Sequence, residues 1–168
     1  MESVARAIAL RATGRLDEAT PAITAAAPEL ADVASLTHTF FVGEALDTLI
    51  EAEQVGLPEE LVSRPAHSGL LVTSAQLLRC RGLLHVRGGE LAEAETAFAH
   101  AAVALRTAGN PNALARVLLD DGTVLIELGR TGEAAAVLQK ARSLFTQLRA
   151  TPWLERTDRL LAPVVTAA

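Results

Sequence analysis

Gly89-Glu-Leu-Ala-Glu-Ala94 and Gly129-Arg-Thr-Gly-Glu-Ala134 lie 40 residues apart and head the same pattern. Downstream of the first come Leu91, Ala94, Phe98, Ala101 and Leu105; downstream of the second come Thr131, Ala134, Leu138, Ala141 and Phe145. Steps of 3, 4, 3 and 4 put each set on one face of a helix. A weaker copy, Gly14-Arg-Leu-Asp-Glu-Ala19, continues through Ile23, Ala26 and Leu30. Pro21 would clash inside a helix begun at Leu16, so that helix is expected to start at Thr20 as N-cap and to end near Pro28.

Each good copy follows another amphipathic stretch. Leu71, Ala75, Leu78, Gly82 and His85 recur in one, and Leu114, Leu118, Gly122 and Leu125 in the other. A glycine inside a helix costs about 1 kcal/mol against alanine, so Gly82 and Gly122 predict close approach of a neighbouring helix. Short breakers at Arg87-Gly88-Gly89, Gly109-Asn110-Pro111, Gly129-Arg130 and Ala150-Thr151-Pro152 separate the elements.

The composition agrees. Alanine and leucine supply 33 and 27 of 168 residues, and there is no tyrosine. The expected class is all-α, built from antiparallel helix pairs. Expected helices are 2–13, 20–27, 30–54 with a break allowed at Gly43, 57–64, 68–87, 90–108, 111–128, 131–149 and 152–162. The expected core holds Leu78, Leu84, Leu91, Ala94, Phe98, Leu118, Leu125, Leu138, Ala141 and Phe145. One domain over 1–168 is predicted, with a degenerate N-terminal stretch over residues 1–64, better repeats 68–108 and 111–149, and a capping helix 152–162.

With Gly82, Ala94, Phe98 and Ala101, then Gly122, Ala134, Leu138 and Ala141, the chain resembles the tetratricopeptide repeat. The spacing of 40 exceeds that family's period of about 34. The resemblance implies a short right-handed superhelix in which the first helix of each pair lines a concave face. From about Glu44 to Leu160 the order of motifs (Arg79-Cys-Arg-Gly-Leu-Leu84, Gly89 to Ala94, Ala115-Arg116, Phe145 to Leu154) also resembles the C-terminal helical segment of large bacterial ATPase regulators, LuxR-type or cyclase-linked. That likeness implies a sensor or scaffold segment in signalling or transcription regulation.

Chemistry-bearing residues are sparse, and no enzyme is expected. There is no GxxxxGK[ST] loop, and Lys140 is the lone lysine. His38, His67, His85 and His100 show no metal-ligand spacing, so neither metal nor cofactor is expected. His85 is read as a packed or hydrogen-bonded ring, His100 as exposed, and Cys80 as a buried structural thiol between two arginines. Asp120-Asp121 diverge around a helix, one toward the groove and one toward solvent.

Ten acids and no Lys or Arg lie between Leu16 and Ser63, while 64–168 carry twelve basic and nine acidic groups. A net charge of −5 without a basic run argues against nucleic acid. The lack of a long apolar run argues against a membrane, and a cytoplasmic location is expected.

The leading expectation is a non-catalytic module that binds a protein or peptide segment. A small-molecule effector domain and a structural oligomerisation lobe are the alternatives. Gln76, Arg79, Asn112, Arg116, Asp120 and Thr123 are the expected contact residues. Arg79 and Arg116 would favour an acidic or C-terminal carboxylate partner, unless they pair within the chain.

Overall fold

The computed structural model describes residues 2–26, 39–63 and 71–166. Among the described residues there are nine helices and no strand: α1 Glu2–Ala12, α2 Leu16–Ala25, α3 Thr39–Glu51, α4 Gly56–Ser63, α5 Leu71–Gly88, α6 Leu91–Thr107, α7 Pro111–Glu127, α8 Thr131–Gln147 and α9 Thr151–Thr166. None is long and apolar enough to cross a membrane. The expected start of the third helix at residue 30, the stop at Pro28, and His38 and His67 lie outside the described residues. The chain divides into two compact units, Met1–Leu84 and His85–Ala168.

In the first unit, α1, α2 and α3 pack on one another and α3 on α4. Val4, Ala7, Ile23, Ala26, Ala45 and Leu49 form one buried cluster. Leu46, Ile50 and Cys80 form another, lined by Val62, Leu77, Leu83 and Leu84. The helix through Ile23 begins at Leu16, not at Thr20, and carries Pro21 inside it. The carbonyl that loses its amide partner belongs to Asp17, which is exposed like Pro21. Burial of Ala19 and Ile23 on the opposite side holds the extra turn. Thr20 is an interior residue whose hydroxyl donates to Leu16 O at 2.8 Å.

Nor does α3 break at Gly43. A Cβ there would come within 2.7 Å of Gln76 Cδ, so the missing side chain makes room for Gln76 of α5.

In the second unit α6 packs on α7, α7 on α8 and α8 on α9, with α9 also touching α7. Ala94, Phe98, Leu118, Leu125, Leu138, Ala141 and Phe145 are all buried, as their periodicity predicts. Leu78, Leu84 and Leu91 are only half-buried. Gly122 meets Leu138: a Cβ at Gly122 would stand 2.5 Å from Leu138 Cδ2 and 2.6 Å from Cγ. The last helix continues to Thr166 through Pro163, four residues beyond the expected end. The bond that Pro163 forfeits is to Arg159, again on an exposed face, while Leu161 and Val164 are buried.

One turn recurs. At Gly129 (φ 73°) the chain takes the left-handed conformation, Gly129 N donates to Ile126 O, and Arg130 N reaches back to Leu125 O at 2.9 Å. This is the C-terminal helix cap for which glycine is favoured. The same pair of bonds closes α1, α5 and α6 at glycines, and closes α3 and α8 at Glu53 (φ 59°) and Arg149 (φ 53°).

Candidate functional site

The expected contact residues are best judged from the helices that carry them. On α7, Asn112, Arg116, Asp120 and Thr123 fall at intervals of 4, 4 and 3 and so share one face. Asn112 is exposed, whereas Asp120 and Thr123 are half-buried. The Thr123 hydroxyl donates to Leu119 O at 2.9 Å, a local helix bond. Asn110 caps α7, accepting from Ala113 N at 3.1 Å, and Pro111 occupies the first turn.

Arg116 is 5% exposed. Its guanidinium carbon lies 4.8 Å from the centroid of the Trp153 ring, within cation–π range. Trp153 in turn stacks on Phe145, centroids 6.0 Å apart and planes at 15°, and receives Arg156 at 5.8 Å. α9 is thus anchored through Trp153, with Thr157 buried one turn on and its hydroxyl bonded to Trp153 O.

In the first unit, Gln76 is half-buried beside Gly43. Arg79 is buried, and its Nη1 donates to Asp47 Oδ1 at 2.6 Å. Arg11 joins the same acids, bonding Glu51 by Nε and Nη2, Glu44 by Nη1, and approaching Asp47 Oδ2 at 3.7 Å. Glu44, Asp47 and Glu51 are therefore an internal receptor for two arginines. The lack of any Lys or Arg between Leu16 and Ser63 was the signal: these acids find their cations only through long-range pairing.

The remaining titratable residues fall into place around these helices. Burial pushes the Cys80 thiol up to about 12, Asp47 adding to the effect and Arg79 opposing it. His85 shares a hydrogen bond with Glu90 on the surface and not in a core, since its side chain is 28% exposed. His100 is exposed. Asp120 and Asp121 are both half-buried, and neither faces solvent outright. The Asp121 carboxyl is raised to about 6 by burial first and Glu95 second.

Arg130, absent from the sequence-derived site, forks onto Glu133 through Nε and Nη2 at 2.7 Å each and reaches Glu95 through Nη1 at 2.6 Å. The first copy repeats this fork, Arg15 binding Glu18 at 2.6 Å through two nitrogens. The Gly-Arg-x-x-Glu spacing held that information, because it places the arginine before the first turn and the glutamate within it. Among the described residues no group of three or more His, Cys, Asp or Glu is placed to hold a metal ion. No family model, curated protein or solved structure matches the chain.

Proposed function

We propose that the chain is a non-catalytic protein-interaction module, a short tetratricopeptide-like right-handed superhelix whose α7 surface receives a protein or peptide segment. The observation that carries this reading is the recurring capped turn between helices, joined by an Arg–Glu fork at two of those turns and by a glycine-to-leucine contact at Gly122 and Leu138. Stacked helical repeats create extended concave surfaces, and these are where such proteins take hold of their partners.

Asn112, Asp120 and Thr123 are the proposed contacts on α7, with Arg116 beneath them. Gln76 and Arg79 are the corresponding positions on α5. An acidic partner would have to compete with Asp47 for Arg79, and with the Trp153 ring for Arg116. The proposed setting is a helical sensor or scaffold segment of a bacterial cytoplasmic regulator.

Site-specific photo-crosslinking tests the reading. A photoreactive side chain at exposed Asn112 is expected to trap a discrete polypeptide in cells, and Asp120→Lys in the same chain is expected to remove it. Equal trapping from exposed Ala162 would overturn the assignment of the surface. Catalytic turnover abolished by a point substitution would overturn the non-catalytic reading itself.

A further inference from the structure

Asp121 Oδ1 is buried and makes no hydrogen bond. The guanidinium that attracts it, that of Arg130, is already engaged, since all three of its nitrogens go to Glu133 and Glu95. The charged groups acting on Asp121 are Glu95 from α6, Arg130 from the α7–α8 turn and Asp120 from its own helix. Two of these three repel a carboxylate, and the cation that attracts it is shared by two other acids. A carboxylate half-buried in that position loses part of its solvation and is attracted only by a guanidinium that two other acids already hold. Its neutral form escapes both penalties. A carboxyl in such a position gains a proton more readily than a free one.

We propose that Glu95, Asp121 and Arg130 form a proton-controlled clasp between α6 and α7: with a proton on Asp121 the two helices hold together, and loss of that proton sets a second half-buried negative charge against Glu95 and loosens them. The direction of the effect follows from linkage. An aspartate whose folded-state value is raised from 3.8 to about 6 makes no difference at pH below both, where folded and unfolded chains are alike protonated. As pH rises from 3.8 to about 6 the unfolded chain releases its proton first, and folded stability falls. Above about 6 the loss is complete.

The test is made on the full chain with carbon-13 labelled aspartate. The Asp121 carboxyl resonance is expected to titrate with a midpoint near 6. Amide exchange in α6 and α7, corrected for intrinsic rates, is expected to be slower at about pH 5 than at about pH 7.5. Asp121→Asn keeps the shape without the charge, and is expected to give the slower exchange at both pH values. Glu95→Gln removes the repulsion and frees Arg130 Nη1, so the Asp121 midpoint is expected to fall. A midpoint near the ordinary 3.8, or a pH dependence of exchange that survives in Asp121→Asn, would overturn the clasp. A purely structural role for Asp121 would leave the midpoint unmoved by Glu95→Gln, and that result counts against it equally.

Discussion

Arg79 and Asp47, 32 residues apart, form an ion pair at 2.6 Å whose side chains are only 6% and 4% exposed. Removing one member of such a pair leaves an uncompensated buried charge, which typically costs about 3–5 kcal/mol. The two partners are not equivalent. Asp47 without Arg79 still has Arg11 at 3.7 Å, whereas Asp47→Ala withdraws the carboxylate from both arginines. Urea denaturation is expected to rank Asp47→Ala as the more damaging, with Arg79→Met milder. The double variant Asp47→Leu with Arg79→Met is expected to lose less than the sum of the two single variants.

Gly122→Ala sets two effects against each other. Helix propensity gains about 1 kcal/mol, but the new methyl would stand 2.5 Å from Leu138, which is fully buried. Overpacking of this kind costs about 1–3 kcal/mol, so a net loss is expected. The same substitution made on a Leu138→Ala background is expected to be harmless or favourable, and a thermodynamic cycle measures the difference.

The capped turns give paired substitutions of opposite sign. Gly129→Ala meets no atom within 4 Å, so its whole effect comes from the positive φ, and a loss of about 1 kcal/mol is expected. Arg149→Gly relieves the same backbone conformation at φ 53°, offset by extra freedom in the unfolded chain. A gain of up to about 1 kcal/mol is expected. Thermal midpoints of the two variants check both signs.

Cys80 is expected to be inert toward an aromatic disulfide reagent at mildly alkaline pH, because burial holds the thiol protonated up to about 12. Stoichiometric reaction is expected once urea unfolds the chain. Labelling of the native protein at the rate of a free thiol would contradict this.

Legibility followed the range of the interactions. Where a helix is fixed by its own spacing, as at Phe98, Leu138 and Phe145, the pattern of apolar residues located both the helix and its buried face. Pro21 reads as a bar to the helix by local chemistry, yet it forfeits a bond only to exposed Asp17 while its helix is held from the far side. The turns at Glu53 and Arg149 lack the glycine that announces the others. Arg79 was hardest of all: its position on α5 suggested a groove, but its partner Asp47 belongs to α3, and no sequence spacing links the two. Arg130 and Glu133 lay in plain view in the repeat, but their spacing marks a helix start as readily as a charge pair.

Trp153 stacks within the second unit, and Cys80 is buried in the first; the sequence has one of each residue and no tyrosine. The protein therefore carries a private reporter for each half without any engineering. Indole emission follows the packing of α7, α8 and α9 alone, while thiol trapping times the opening of the α3–α5 core. If the two signals change together the halves melt as one cooperative body, and if they part, the delay between them measures how independently each half holds its structure.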